Sequence, residues 1–338
     1  MDIKTKEKAW TGFSDRVAGI FRCIDCQGHL QTTDAGMTCS DCGREYPWVD
    51  GVVRFVNAQE YAGSFGFQWL KHDRTQLDGE NSRRSELDFM EKTGLGPEDF
   101  AGKLVLDVGC GMGRYAEVIT RWDAHVVGID LSRAVEAAAR NLADRDATII
   151  QADVFKLPFA PESFDMIYSL GVLHHTPDCE KAFKSLPRLL KPGGRIAIWL
   201  YSAYNPWYRA SDFYRKYTRK MSQKTLHRLC KIAVPFYTVD NAIRKVPLIG
   251  RLISGTMRMV LPLAQDPDPE WRVLDTFDWY SPWYQSKHTY EEVFRWFESC
   301  GLEDLHVANV QISVRGTAPR TPRARSEESL EAVERCAG

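Results

Sequence analysis

The feature that most constrains the fold is a short apolar run that leads directly into a glycine-rich loop. Residues 104–108 read Leu-Val-Leu-Asp-Val, and Gly-Cys-Gly-Met-Gly follows at 109–113 without a break. An apolar run of this length predicts a buried strand, and residues 114–122 continue with a helical pattern. Glycines at this place let the chain turn tightly and let its backbone approach a ligand with no Cβ in the way. The free N–H groups at the start of the helix would then face an anionic group.

Short apolar runs alternate with segments of helical character on the C-terminal side of this loop. The further apolar runs are residues 125–129, 148–151, 164–169 and 195–200. Short strands that alternate with helices predict a parallel sheet covered by helices on both faces. We therefore predict a doubly wound, Rossmann-like α/β core at residues 101–200.

Carboxylates accompany the first three of these runs. Asp107 lies in the first run, Asp130 follows the second and Asp153 follows the third. A carboxylate in the position of Asp130 can accept hydrogen bonds from both hydroxyls of a ribose. One in the position of Asp153 could meet the amino group of an adenine.

Four sequence motifs follow one another through residues 100–200. They are Val-Leu-Asp-Val-Gly-Cys-Gly-Met-Gly, Val-Gly-Ile-Asp-Leu-Ser, Gln-Ala-Asp-Val-Phe-Lys-Leu-Pro-Phe and Ser-Phe-Asp-Met-Ile-Tyr-Ser-Leu-Gly-Val-Leu-His-His, and Leu-Lys-Pro-Gly-Gly closes the series. In this order they resemble class I S-adenosylmethionine (SAM)-dependent methyltransferases, the broad group that includes enzymes of ubiquinone and menaquinone biosynthesis. A nicotinamide-binding domain would instead show Gly-x-Gly-x-x-Gly, whereas the glycines here stand at 109, 111 and 113.

That resemblance implies SAM as the cofactor and assigns positions around it. Asp107 and Gly109 would contact the methionine part and Asp130 the ribose. Asp153 and Val154 would frame the adenine. The complete set of cofactor-site candidates is Asp107, Gly109, Cys110, Gly111, Gly113, Asp130, Leu131, Asp153, Val154, Ser169 and Leu170. For Gly111 and Gly113, the alternative is that the turn alone requires them.

Candidates for the chemistry of transfer lie close to the same loop. Methyl transfer is an in-line displacement that needs alignment and, for some acceptors, removal of a proton. His174 and His175 follow the fourth run, and either could be the general base of an O- or N-methylation. The alternative is a turn in which both histidines pack or bond to the backbone. Tyr115 could border the methyl group or could be the first core residue of its helix.

An aromatic-rich segment at 275–290 supplies candidates for the methyl acceptor. In related methyltransferases, similar segments near the C-terminus lie over the mouth of the active site. The acceptor-pocket candidates are Trp279, Tyr280, Trp283, Tyr284 and His288. The alternative is that these side chains pack the segment to the sheet. The Asn/Asp-Pro-Pro-Tyr/Phe motif of base-amino methylation does not follow the fourth run, which continues with Ser-Leu-Gly-Val at 169–172.

Two Cys-x-x-Cys pairs precede the core. Cys23 and Cys26 form the first pair and Cys39 and Cys42 the second, with twelve residues between the pairs. Two such pairs can complete a tetrahedral Cys₄ site, for which zinc is the favoured ion and iron its main competitor. A redox role would use only one Cys-x-x-Cys pair and would leave the other pair unexplained. Residues 45–56 resemble the strand that follows the zinc ribbon in rRNA guanine methyltransferases, so we predict a structural Zn²⁺.

The segment 201–264 is strongly basic in a chain whose net charge is −1. It carries twelve Lys and Arg residues against two acidic ones, Asp212 and Asp240. Three interpretations stay open: a substrate lid with a solvated charged face, a peripheral contact with an anionic membrane that delivers a lipid-linked acceptor, and an RNA-binding surface.

These patterns divide the chain into seven segments. The predicted segments are an N-terminal lead-in at 1–20, a zinc ribbon at 21–56, a helical linker on the substrate side at 57–100, the SAM-binding core at 101–200, a basic helical insertion or lid at 201–270, an aromatic segment at 271–316 that completes the core with a helix at 289–300 and a strand at 305–314, and a disordered tail at 317–338. No run approaches the roughly 20 apolar residues of a spanning helix, and the charged N-terminus does not resemble a signal peptide. We therefore expect a cytoplasmic protein, with peripheral membrane contact left open by the insertion.

The sequence thus predicts an enzyme that transfers a methyl group from SAM to a small-molecule or lipid-linked metabolite. Two alternatives remain. The zinc ribbon and the basic insertion would also suit an RNA methyltransferase. A SAM-binding fold can also serve other chemistry, such as cyclisation of SAM.

Overall fold

The computed structural model describes residues 13, 15–56, 62–79, 82–205 and 208–320. Most of the predicted lead-in and almost all of the predicted tail lie outside the described residues. Thr317 is the last residue of a strand rather than the first residue of a tail. The N–H of Ala318 donates to the carbonyl of Gly194 at 2.7 Å, so the backbone stays attached to the sheet beyond that strand.

Eleven strands among the described residues form one sheet. They are β1 (Leu30–Thr33), β2 (Gly36–Cys39), β3 (Glu45–Val49), β4 (Val52–Arg54), β5 (Leu104–Val108), β6 (His125–Asp130), β7 (Ala147–Gln151), β8 (Phe164–Leu170), β9 (Leu190–Trp199), β10 (Glu303–Val307) and β11 (Ser313–Thr317). Their order is β1-β2-β3-β4-β7-β6-β5-β8-β9-β11-β10. The strands from β4 to β9 run parallel, whereas β11 pairs antiparallel with β9 and with β10.

Thirteen α-helices accompany the sheet in the described part of the chain. They are α1 (Asp15–Ala18), α2 (Gly63–Lys71), α3 (Arg84–Thr93), α4 (Pro97–Phe100), α5 (Arg114–Arg121), α6 (Ala134–Asn141), α7 (Cys179–Lys184), α8 (Tyr208–Thr218), α9 (Gln223–Cys230), α10 (Ala233–Arg244), α11 (Gly250–Val260), α12 (Pro269–Tyr280) and α13 (Tyr290–Ser299). No helix of this part is both long and apolar enough to cross a bilayer. The parallel strands, with apolar clusters packed on both faces of the sheet, confirm the α/β class and the doubly wound core.

Strand β5 lies in the middle of the core, and all five of its residues are buried. Because side chains alternate along a strand, Leu104, Leu106 and Val108 pack into the apolar cluster on one face of the sheet. Val105 packs into the cluster on the other face. Both faces are thus covered, as the continuous apolar run predicts.

The cysteine-bearing segment is continuous with the core sheet. β4 pairs parallel with β7 through Val53 beside Ile150 and Arg54 beside Gln151. A half-buried ion pair between the Arg54 guanidinium and Glu136 of α6, at 3.2 Å, fastens the same strand to the core. The segment predicted as a separate ribbon therefore extends the sheet instead of standing apart from it.

Two boundaries differ from the sequence-based expectation. α12 begins at Pro269 and ends at Tyr280, so it crosses the boundary expected at residue 270. It packs against α8, α9 and α10, which makes it part of the helical insertion. The single strand expected at 305–314 is a hairpin of β10 and β11, because the chain turns back between Val307 and Ser313. The helix expected at 289–300 is confirmed by α13, whose Thr289 and Glu292 form a capping box.

Candidate active site

A cavity of about 470 Å³ opens at the carboxyl ends of β5, β6 and β8. Parallel α/β sheets bind ligands at this edge, and the volume lies within the ordinary range of ligand pockets. Residues from α2, α3 and α12 close the cavity on the sides away from the sheet. Its walls therefore combine the predicted core with three helices that lie outside the core in sequence.

The glycine loop forms the floor of this cavity and is held against strand β6. The N–H groups of Gly109 and Cys110 both donate to the carbonyl of Ile129, at 2.8 and 2.9 Å. Gly109 has a φ of +81°, and a Cβ there would lie 2.3 Å from Val172 Cγ1. A Cβ on Gly111 would lie 3.2 Å from Nε1 of Trp69. At Gly109 the contact with Val172 excludes a side chain, whereas at Gly111 the φ of +54° is the stronger reason for glycine.

Gly113 serves the turn rather than the cavity. It has a φ of +91° and precedes the first residue of α5. A Cβ there would meet Leu142 at 3.0 Å, on the side facing helix α6. Of the two alternatives for this glycine, the structure favours the turn.

Asp130 is tied to the glycine loop. Its Oδ2 accepts from the N–H of Gly111 at 3.1 Å, and its Oδ1 accepts from both the N–H and the hydroxyl of Ser132, at 2.8 and 2.7 Å. Burial raises the pKa of Asp130, and these hydrogen bonds oppose that rise. The carboxylate is thus both a wall of the cavity and a brace for the loop.

Asp107 is the most unusual carboxyl group of the site. It is buried, lines the cavity, and its Oδ2 has no hydrogen-bond partner. Burial raises the pKa of Asp107 to about 8, and the neighbouring Tyr168 hydroxyl lowers it only in part. A buried polar atom without a partner is costly, which indicates that a ligand donor completes this position.

The remaining cofactor-site candidates divide into two groups. Cys110, Leu131, Val154 and Leu170 line the cavity. Asp153 and Ser169 do not, because both are engaged with backbone: Asp153 accepts from the N–H of Phe155 at 3.0 Å and Ser169 donates to the carbonyl of Val108 at 2.9 Å.

The two adjacent histidines that the sequence suggests as general bases have different surroundings in the structure. His174 is fully buried, stacks on Tyr201 with ring centroids 4.0 Å apart, and does not line the cavity. His175 does line it, and its Nδ1 lies 3.0 Å from the carbonyl of Tyr284. A carbonyl can only accept, so Nδ1 carries the proton and Nε2 keeps a free lone pair. Burial lowers the pKa of His175, with Asp278 opposing it, so the imidazole is neutral at pH 7.

Tyr115 lines the cavity, but its hydroxyl is already engaged. It donates to Asp88 Oδ2 at 2.5 Å and accepts from Lys92 Nζ at 3.1 Å. Arg114 adds a further contact to the same carboxylate at 3.2 Å. Burial raises the pKa of Tyr115 well above its usual range. The side chain is thus a packed core residue and a cavity wall at once, with no free hydroxyl for proton transfer.

Of the five acceptor-pocket candidates, the structure places only Trp279 in the lining of the cavity. Tyr280 donates to the carbonyl of Pro262 at 2.6 Å and packs within the insertion. Trp283 and Tyr284 are largely exposed, at 46% and 43%. His288 lies 2.7 Å from the Ser286 hydroxyl and packs edge-on to Trp296. Four of the five candidates thus lie outside the cavity lining: Tyr280 packs within the insertion, His288 packs against α13, and Trp283 and Tyr284 are exposed.

Helix α12 instead presents carboxylates. Asp275 and Asp278 line the cavity, and burial together with the charge of Asp278 raises the pKa of Asp275 to about 7. The Tyr201 hydroxyl donates to Asp278 Oδ2 at 2.8 Å, and the same oxygen lies 4.0 Å from His175 Nε2. These groups form an acidic wall beside the free nitrogen of His175.

Helix α2 supplies residues that the sequence gave no reason to choose. Gln68 is 1% exposed and lines the cavity, yet neither its Oε1 nor its Nε2 has a hydrogen-bond partner. Trp69 covers the glycine loop from the same helix. A sequence signal existed in the density of aromatic residues at 65–69, but it does not say which side of the helix faces a ligand.

The four cysteines of the N-terminal pairs meet at one point. Their Sγ atoms all lie within 4.8 Å of one another. Cys23 and Cys42 are 3.6 Å apart and Cys26 and Cys39 are 3.5 Å apart, close to the ~3.8 Å edge of a tetrahedron with Zn–S bonds of ~2.3 Å.

The two cysteine turns share one backbone pattern. The N–H of Gln27 donates to the carbonyl of Cys23, and that of Gly43 donates to the carbonyl of Cys39, at 2.9 and 3.0 Å. Gln27 and Gly43 also share a left-handed conformation, with φ of +60° and +73°. Two equivalent turns therefore direct four thiols at one volume, and the residues fit a tetrahedral thiolate-bound ion.

Residues 106–198 match a protein-family model described as a methyltransferase domain. The chain is 36% identical over 104 residues to the probable tRNA methyltransferase 9B of Mus musculus. The aligned region covers 30% of this chain and 22% of that protein. It is also 36% identical over 120 residues to the sterol 24-C-methyltransferase of Aspergillus fumigatus, covering 32% of each. The chain thus spans only about a fifth to a third of the length of these curated relatives.

Among solved structures, an S-adenosylmethionine-dependent methyltransferase from Mesorhizobium loti matches 34% of this chain and 52% of its own. The identity is 29% and the TM-score is 0.31.

The raised pKa of Asp107 predicts a pH-dependent stability. The unfolded carboxyl ionises near the usual value of 3.8, whereas the folded one ionises at about 8. Unfolding therefore releases a proton between those values, so the ligand-free protein loses stability as the pH rises. Asp107→Asn keeps the shape of the side chain but cannot ionise. Between pH 5 and pH 8 the free energy of unfolding of this variant should fall less than that of the wild type, by on the order of a few kcal/mol. Urea unfolding of both proteins at the two pH values measures the difference; equal pH dependence would contradict the assignment.

Proposed function

We propose that this chain, whose residues 106–198 match a methyltransferase domain, is a class I SAM-dependent methyltransferase that transfers the methyl group of SAM to a small-molecule or lipid-linked metabolite. The observation that carries the proposal is the unsatisfied polar lining of the cavity. Asp107 Oδ2 and both polar atoms of Gln68 are buried without partners around a glycine loop whose backbone is free to approach a ligand. Such groups suit a polar, charged cofactor and do not suit an empty apolar pocket.

The residues of the site fit SAM part by part. The Asp107 carboxylate can accept hydrogen bonds from the ammonium group of the methionine part and is favoured in its charged form beside a cation. The Asp130 carboxylate can turn toward the ribose hydroxyls from the end of β6. When bound, SAM supplies a methyl group activated by a positively charged sulfur. The protein's part is to align the acceptor with it and to exclude water.

The proposed acceptor is a small or lipid-linked molecule because α2, α3 and α12 close over the cavity. A cavity of about 470 Å³ with walls on these sides suits an acceptor that enters whole or by one end. The sterol methyltransferase and the probable tRNA methyltransferase are both 36% identical to this chain, so the shape of the cavity, and not this similarity, supports the proposed acceptor.

We assign the general base to His175. Its Nδ1–H is held by the carbonyl of Tyr284, and its Nε2 is free in a cavity-lining side chain. The neighbouring Asp278 carboxylate would stabilise the imidazolium that forms when Nε2 takes a proton. His174 lacks access to the cavity, so of the two histidines only His175 can perform this step.

His175→Asn removes the basic nitrogen but keeps the hydrogen bond that holds the side chain, because an asparagine amide can still donate to the Tyr284 carbonyl. We expect turnover to fall by about 10²- to 10⁴-fold while SAM affinity stays unchanged. Because burial lowers the pKa of His175, the wild-type activity should persist below pH 6.5. The acceptor for this assay comes from comparing metabolites of wild-type and deletion strains. Unchanged turnover of the variant would remove His175 from the mechanism.

Asp130→Ala tests the cofactor site itself. The substitution removes the carboxylate proposed for the ribose and loosens the loop held through Gly111. We expect isothermal titration calorimetry to show the loss of most SAM affinity. Asp144→Ala is the matched control, because Asp144 is an exposed carboxylate in the turn between α6 and β7, outside the cavity lining. Comparable SAM affinities for the two variants would contradict the proposed site.

We further propose that the four cysteines bind a structural zinc ion. The four thiols already meet at one point, and a tetrahedral thiolate site would fix the two turns that carry them. Cys39→Ser should therefore release the metal, as measured by mass spectrometry of the metal content, and lower the stability of residues 21–56. Cys300→Ser lies outside the cluster and should keep the full metal content. A metal-free wild type of normal stability would overturn this proposal.

A further inference from the structure

The hairpin of α10 and α11 carries an unusual surface at the outer end of the helical insertion. We define the hairpin tip as residues 244–253, which join α10 to α11 and include the first residues of α11. Leu248 at the turn is fully exposed, and Leu252 is 73% exposed. Val246, Ile249 and Ile253 beside them are also exposed, which places five aliphatic side chains together in solvent.

The apolar surface continues along one side of α11. Leu252, Met259 and Val260 are spaced by seven and eight residues, so they lie on one helical face. Met259 and Val260 are 61% and 60% exposed. Soluble proteins expose single apolar side chains commonly, but contiguous patches of this kind mark a contact with a partner or a membrane.

The hairpin is held together from inside, so its tip is a defined surface. Asp240 of α10 is fully buried, accepts from the Ser254 hydroxyl at 2.5 Å and pairs with the Arg258 guanidinium. The two helices approach so closely that a Cβ on Gly250 would lie 2.2 Å from the carbonyl oxygen of Ile243. The exposed aliphatic residues therefore project from a braced pair of helices.

The charged residues of the tip itself have one sign, since Arg244, Lys245 and Arg251 are its only ionisable side chains. The exposed cations of the insertion are Lys216, Lys220, Lys224, Arg228, Lys231, Arg244, Lys245 and Arg251. Both acidic residues of 201–264 are neutralised within the fold, Asp240 by Arg258 and Asp212 by Arg215 and Lys287. The tip thus combines exposed aliphatic groups with the cations Arg244, Lys245 and Arg251 and contains no acidic residue, whereas Asp268 and Glu270 lie at the start of α12.

We propose that the hairpin tip docks on an anionic lipid surface. Aliphatic side chains would enter the boundary between headgroups and acyl chains, while Arg244, Lys245 and Arg251 meet the anionic headgroups. An RNA surface would instead use aromatic side chains to stack on bases, and the tip has none. The charge and the aliphatic character together select a membrane over a nucleic acid.

This surface is connected to the cavity through α12. That helix packs against α10, and its residues Trp271, Asp275 and Trp279 line the cavity. The helix that covers the site is thus packed against the helix that leads to the tip. The docking itself does not depend on methyl transfer, so it can be tested on the full chain without SAM or an acceptor.

The test is cosedimentation of the purified protein with vesicles of phosphatidylcholine alone and of phosphatidylcholine mixed with phosphatidylglycerol. We expect binding to the mixed vesicles that weakens as salt is added. Leu248→Asp combined with Leu252→Asp should lower the affinity for the mixed vesicles by about tenfold or more, because two aliphatic side chains would no longer be buried in the lipid. Leu87→Asp, at a 60% exposed leucine on α3, is the matched control and should bind as the wild type does.

Charge reversal tests the electrostatic half of the proposal. Lys245→Glu combined with Arg251→Glu should lower binding to the anionic vesicles by about tenfold or more, because each basic residue near the surface contributes ~1 kcal/mol. Lys156→Glu reverses an exposed charge in the core domain and should have little effect. Circular dichroism and SAM titration of every variant separate lost docking from lost folding.

Three results would overturn the inference. One is a wild-type protein that binds neither vesicle. Another is equal vesicle binding by the tip variants and their controls. The third is a tip whose substitution abolishes self-association in analytical ultracentrifugation, or retention of bulk RNA on filters, and leaves vesicle binding unchanged. None of these results would bear on the proposed methyl transfer, which SAM titration of the core tests separately.

Discussion

The site depends on two backbone N–H groups that share one carbonyl. Gly109 and Cys110 both donate to Ile129, which clamps the loop after β5 against the end of β6. The clamp brings the backbone within reach of Val172 and Trp69, where a side chain on the loop would collide with them. The floor of the cavity, the position of Asp130 and the start of α5 all follow from this contact. It requires glycine because the turn needs a positive φ and the space is already filled.

Much of the fold could be predicted because its signals are local. The apolar run at β5, the glycines after it and the carboxylate at the end of β6 are short-range patterns, and each reports its own surroundings. The capping box that begins α13 is a signal of the same kind. Local patterns also led to Asp107, although the sequence could not show that its Oδ2 is buried without a partner.

The cavity walls could not be predicted because they are made by contacts distant in sequence. Gln68 and Asp278 lie in helices separated by the whole core, and nothing near either residue in the sequence marks it as facing the other. The aromatic segment at 275–290 misled for the opposite reason. The aromatic side chains at 277–284 pack within the insertion or stand exposed, except Trp279, whereas the carboxylates of α12 reach the cavity. The histidine pair shows that neighbouring positions in the sequence can have different surroundings. His174 and His175 are adjacent, but of the two only His175 lines the cavity.

The pairing of β4 with β7 gives the cysteine-bearing segment a second role. Without β4, strand β7 would be the edge of the parallel sheet, with a row of unsatisfied N–H and C=O groups along Ile150 and its neighbours. Open edges of this kind pair readily with strands of other molecules. The segment therefore acts as a cover that keeps the catalytic core from joining other copies edge to edge. A chain shortened to the part after residue 56 would retain every residue of the glycine loop and would still be liable to aggregate.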